Sequence, residues 1–122
     1  MTSPEDVSRF ISSSFRSVWS LELLLLLKQD PRPRPRAELV TALRASDLVV
    51  AQALESLIAA GLATADAEGN ASYMPVSPEV NVLVEKAEEL YSRKPDAVRR
   101  MIVASATSGV TAFADAFRLW KG

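Results

Sequence analysis

The side chains that could do chemistry in this chain are few. Its 122 residues include no cysteine and no histidine. That removes thiolate nucleophiles, thiolate ligands and disulfides, along with the commonest general base and metal ligand. Neither a glycine-rich phosphate loop nor a nucleophile motif is present. Glu85, Glu88 and Glu89 cluster in sequence. With no histidine and no second acidic helix, they read as a solvated face rather than a metal site. Phe113, Phe117 and Trp120 recur at helical spacing, which suits a core or a dimer interface better than a ligand pocket. Tyr73 reads as a packing residue and Arg99-Arg100 as a surface pair. The most directional groups are Arg32, Arg34 and Arg36, set between prolines, with Arg44 shortly after. They could grip phosphate. The plainer reading of PRPRPR is a stiff solvated loop, and a ligand for a proline-reading domain is a further one. A non-catalytic protein without cofactor or metal is therefore expected.

The bulk composition agrees with a binding role in one compact domain. The chain is 48% hydrophobic and 24% charged, with a net charge of −1, so a global basic footprint for nucleic acid is absent. The opening MTSPEDVSRF is acidic and polar, unlike a secretory signal. The strongly apolar run from Leu21 to Leu27, broken by Glu22, is far shorter than the roughly 20 residues of a membrane span. A cytoplasmic protein with no membrane partner is expected.

Helix signals cover most of the chain. Ser3-Pro4-Glu5-Asp6 is a helix start with a cap, a first-turn proline and two acids at the positive dipole end. Val7, Phe10, Ile11, Phe15 and Val18 follow at helical spacing. A leucine-rich helix over about Trp19 to Lys28 is apolar on nearly every face, which predicts full burial. The alternating prolines end it in an extended segment, and Pro35 opens a short helix carrying Leu39, Val40 and Leu43. Ser46 or Asp47 caps the next helix, which sets Val50, Ala53, Leu54, Leu57 and Ile58 on one face and ends at Gly61. Leu62–Asp66 and Ala71–Val76 flank a Gly69-Asn70 turn and read as a β-hairpin. Ser77-Pro78-Glu79 starts a helix striped with Val80, Leu83, Val84, Ala87, Leu90 and Tyr91. Pro95-Asp96 restarts one with Val98, Met101 and Ile102 inward. Ser108-Gly109 breaks it before a last amphipathic stretch.

The segments LELLLLL, AELVTAL and SDLVVAQALESLIAAGLA, followed by the hairpin, carry a family likeness. Together they resemble winged helix-turn-helix transcriptional regulators of the broad MarR-like and ArsR-like type. Val50, Ala53, Leu54, Leu57, Gly61 and Leu62 match the third-helix pattern of such proteins. The resemblance implies a mostly α fold with one small β-hairpin. The winged-helix core would span residues 17–76, with an N-terminal helix over 1–16 and a helical extension over 77–122, all in a single domain.

In that fold the third helix enters the major groove. The resemblance thus makes Ser46, Gln52 and Ser56 candidate DNA contacts, with Gln52 able to read adenine. Arg32, Arg34, Arg36 and Arg44 become candidate phosphate contacts. Against this, no lysine or arginine lies between Ala45 and Gly61, Asp47 and Glu55 would oppose phosphate, and Asp66 and Glu68 make the hairpin tip acidic. Two readings follow. The first, favoured by the fold's usual employment, is a DNA-binding regulator. The second is a protein-interaction module in which Leu48 and Val49 join the interface. A homodimer is expected in either case, held by Phe10, Ile11, Phe113, Phe117 and Trp120 near the chain ends.

Overall fold

The computed structural model describes residues 2–106. Seven elements run α1 (Pro4–Ser14), α2 (Val18–Gln29), α3 (Arg36–Leu43), α4 (Asp47–Ala59), β1 (Ala63–Ala65), β2 (Ala71–Tyr73) and α5 (Pro78–Arg93). An eighth, α6, occupies residues 95–106. The described chain is mostly helical with one two-stranded antiparallel sheet, as the periodicity predicts. Phe113, Phe117 and Trp120 lie outside the described residues.

The helix starts are made by serine. Ser3, Ser17, Ser46 and Ser77 each accept a hydrogen bond from a first-turn backbone N–H. A cap of this kind contributes about 1 kcal/mol. At Ser17 the cap also makes a corner. Phe15 ends α1 in an extended conformation, Ser17 and Ser20 cap each other reciprocally, and α2 leaves at 107° to α1. No single helix among the described residues is long and apolar enough to cross a membrane.

α2 is the centre of the core. Leu21, Leu23, Leu24 and Leu27 are buried, and the helix packs against α3, α4 and β2. The inward stripe of α4, from Val50 through Ala53 and Leu54 to Leu57, meets it. α1 lies on α5 and contributes Val7 and Ile11 to the same core, and its C-cap residue Phe15 joins them. Val84, Ala87, Val98 and Ile102 bring in α5 and α6.

Two of the residues expected between copies of the chain, Phe10 and Ile11, lie among the described ones. Ile11, assigned to a dimer interface, is instead fully buried within the chain, because it falls on the α1 face that meets α5. Phe10 is half-buried and packs edge-on against Phe15, with centroids 5.9 Å apart.

α4 ends at Gly61, whose φ of +76° lies in the left-handed region. A Cβ there would stand 3.3 Å from the Val76 side chain, so glycine serves both the turn and the close approach. The strands pair Ala63 with Tyr73, Thr64 with Ser72 and Ala65 with Ala71. Asp66 organises the turn by accepting from the backbone of Glu68 and Asn70. Those bonds, Asn70's first, hold its carboxyl below the usual aspartate range.

The proline-rich segment is a structural element rather than a free loop. Arg34 forms an isolated antiparallel bridge with Ala71, through N···O contacts of 2.9 and 2.8 Å, and so extends the hairpin on its β2 side. The element order is therefore helix, bridge, helix, helix, hairpin, with α1 before it and α5 and α6 after.

Candidate functional site

The outward face of α4 carries Leu48 and Gln52 among the candidate residues. At about 100° per residue, Leu48, Gln52, Glu55 and Ala59 lie opposite the buried stripe, and all four are exposed. Leu48 is 65% exposed on a helix whose other side is core. Val49 and Ala51 are half-buried beside it. Ile58 carries a correction. Its spacing placed it in the core, but it falls at the flank of the stripe and is 41% exposed. The signal that would have found it is its angular offset from Val50, Ala53, Leu54 and Leu57. Val76, 73% exposed, lies against Gly61 just past the same helix end.

The polar candidates of α4 are partly committed to local structure. Ser46 Oγ accepts from the Val49 backbone at 3.1 Å as the cap of α4. Ser56 Oγ donates to the Ala53 carbonyl at 2.9 Å. Gln52 is exposed, and among the described residues no hydrogen bond of its amide is formed. The face carries no cation, because residues 46–60 contain neither lysine nor arginine.

The four arginines do not form one exposed stripe. Arg32 lies against Asp30, with Nε 2.9 Å from Oδ2, and reaches Glu38 at 3.7 Å. The pairing pushes the guanidinium pKa up and holds the Asp30 carboxyl down. Arg36 Nε donates to Asp47 Oδ1 at 2.8 Å, tying the start of α3 to the start of α4. Arg44 is exposed at the C-cap of α3, in the left-handed region at φ 55°.

Arg34 is the clear correction. Expected on the surface as a phosphate contact, it is 6% exposed. Its backbone bridges Ala71, and its Nη2 donates to the Leu26 carbonyl. Leu26 sits in the last turn of α2, where carbonyls lack helical partners and the dipole favours a cation. The Nε of Arg34 is buried without a hydrogen-bond partner.

The hairpin is held to α5 by a polar contact. Tyr73 Oη donates to Asn81 Oδ1 at 2.7 Å, and Asn81 Nδ2 donates to Glu85 at 2.8 Å. Burial, with Glu85 and Glu88 nearby, pushes the Tyr73 phenol up to about 12. The folded state therefore keeps a proton that the unfolded tyrosine, near 10, gives up. Stability should fall as pH rises from about 10 towards 12, and Tyr73→Phe should flatten that fall. Urea melts at pH 9 and pH 11 on both proteins measure it. An equal slope in the two proteins would contradict the assignment.

Among the described residues no three acidic groups converge as metal ligands. The surface offers apolar contact at Leu48 and Ile58, amide hydrogen bonding at Gln52 and negative charge at Glu55, with no nucleophile or base positioned by a partner. No protein-family model, curated protein or solved structure matches the chain.

Proposed function

We propose that the chain is a non-catalytic winged-helix module whose α4 docks a protein partner through its outward face. The order of helix, bridge, helix, helix and hairpin supports the winged-helix reading. The observation that carries the partner class is the composition of α4: Leu48 and Ile58 stand 65% and 41% exposed on a helix without a single cation. Burying an exposed leucine against a protein partner is favourable, whereas it supplies no phosphate contact to DNA. Glu55 on the helix, with Asp66 and Glu68 at the hairpin tip, is exposed, and the three carboxylates add repulsion towards a polyanion.

DNA binding is the second reading, favoured by Arg44, exposed at the C-cap of α3, and by Arg36, exposed at its start though paired with Asp47. A fluorescence-anisotropy titration with duplex DNA at 50 and 200 mM salt separates the two. The protein reading predicts at most weak binding that Gln52→Ala leaves unchanged. Binding at about 10⁻⁸ M or tighter that weakens steeply with salt and shifts sequence preference in Gln52→Ala would establish the regulator instead.

A further inference from the structure

A cleft of about 420 Å³ opens between the N-terminal half of α1, the C-terminal half of α5 and the start of α6. Its size is within the range of small-molecule sites, roughly 300–1,000 Å³. Val7, Leu90, Ala97 and Met101 line it with apolar surface, one buried and three half-buried. Lys86, Arg93 and Lys94 supply the charge, all three exposed, with Glu89 as the opposing carboxylate. Glu89 is met by Arg93 at 3.8 Å, and among the described residues no ion pair occupies Lys86 or Lys94. Three cations against one anion is an inversion of the chain's net charge of −1. The groove on the other side of α1 carries Asp6, Arg9 and Glu79, one cation against two anions.

We infer that this cleft binds an amphipathic carboxylate of the medium-chain alkanoate class. The apolar lining gains from burying methylenes, and the ammonium groups of Lys86 and Lys94 from meeting a carboxylate. Inorganic phosphate leaves the lining unused, and a neutral lipid leaves the cations unmet. A polyanion would leave the apolar lining of Val7, Leu90, Ala97 and Met101 unused. The inference does not depend on the partner of α4.

The test is isothermal titration of the full chain with hexanoate, octanoate and decanoate below micelle formation, with the Met101 methyl resonance followed by NMR. The expected result is saturable one-to-one binding that tightens about three- to fourfold per added methylene, with a shift at Met101. Lys86→Glu/Lys94→Glu should weaken decanoate about tenfold or more, while Arg9→Glu in the neighbouring groove should leave it unchanged. Absence of saturation at about 1 mM decanoate would overturn the proposal. So would equal affinity for decyltrimethylammonium or inorganic phosphate, or binding indifferent to the double substitution.

Discussion

Leu57→Ala is expected to lower the free energy of unfolding by about 2–5 kcal/mol, while Leu48→Ala changes it by no more than about 0.5 kcal/mol. The two leucines are nine positions apart on one helix of the same length of side chain, and they differ only in the face they occupy. Leu57 is fully buried where α4 meets α2, so truncation removes packing from the centre of the core and leaves a cavity. Leu48 is 65% exposed and has little burial to lose. Urea denaturation followed by circular dichroism measures both. A large loss at Leu48 with a small one at Leu57 would invert the assignment of faces on which the proposed docking surface depends.

The second large effect is at Arg34. Arg34→Glu should destabilise the fold by about 3–5 kcal/mol. It buries a carboxylate against the Leu26 carbonyl, at the negative end of α2, with no donor to meet either group. Arg34→Met should cost only about 1–2 kcal/mol. It leaves the Leu26 carbonyl without its donor but relieves the burial of a charge and of an unpartnered Nε. Melts of the two variants are diagnostic by their ratio. Equal and negligible losses would return Arg34 to the surface and restore it to an exposed basic stripe.

Much of the local architecture is legible in the residues, because the signals are local. Ser3-Pro4 and Ser77-Pro78 start helices, Ser46 caps α4, and Gly61 stops it where only glycine accommodates both the positive φ and Val76. The turn at Gly69-Asn70 places the hairpin. What is not legible depends on pairing between distant segments. Nothing in PRPRPR says that Arg34 will bridge Ala71, because an isolated bridge has no run of alternating residues to announce it. Residue type alone sends arginine to the surface, and tertiary context sends this one inward. The same limit applied to Arg32 and Arg36, whose acidic partners Asp30 and Asp47 are visible in sequence but whose geometry is not. Ile58 shows a subtler limit, since a spacing of four residues fits the buried stripe while its accumulated rotation carries it to the flank.

These placements change the weight of the surface. With Arg34 buried and Arg32 and Arg36 paired, the cations that favoured a phosphate contact are largely engaged within the chain, and the exposed apolar groups of α4 remain. The direct test is a photoreactive amino acid introduced at position 48 and irradiated in living source cells. The account predicts an adduct with a protein, resistant to nuclease and lost in Ile58→Asp. A nuclease-sensitive adduct, or one that Ile58→Asp leaves intact, would contradict it.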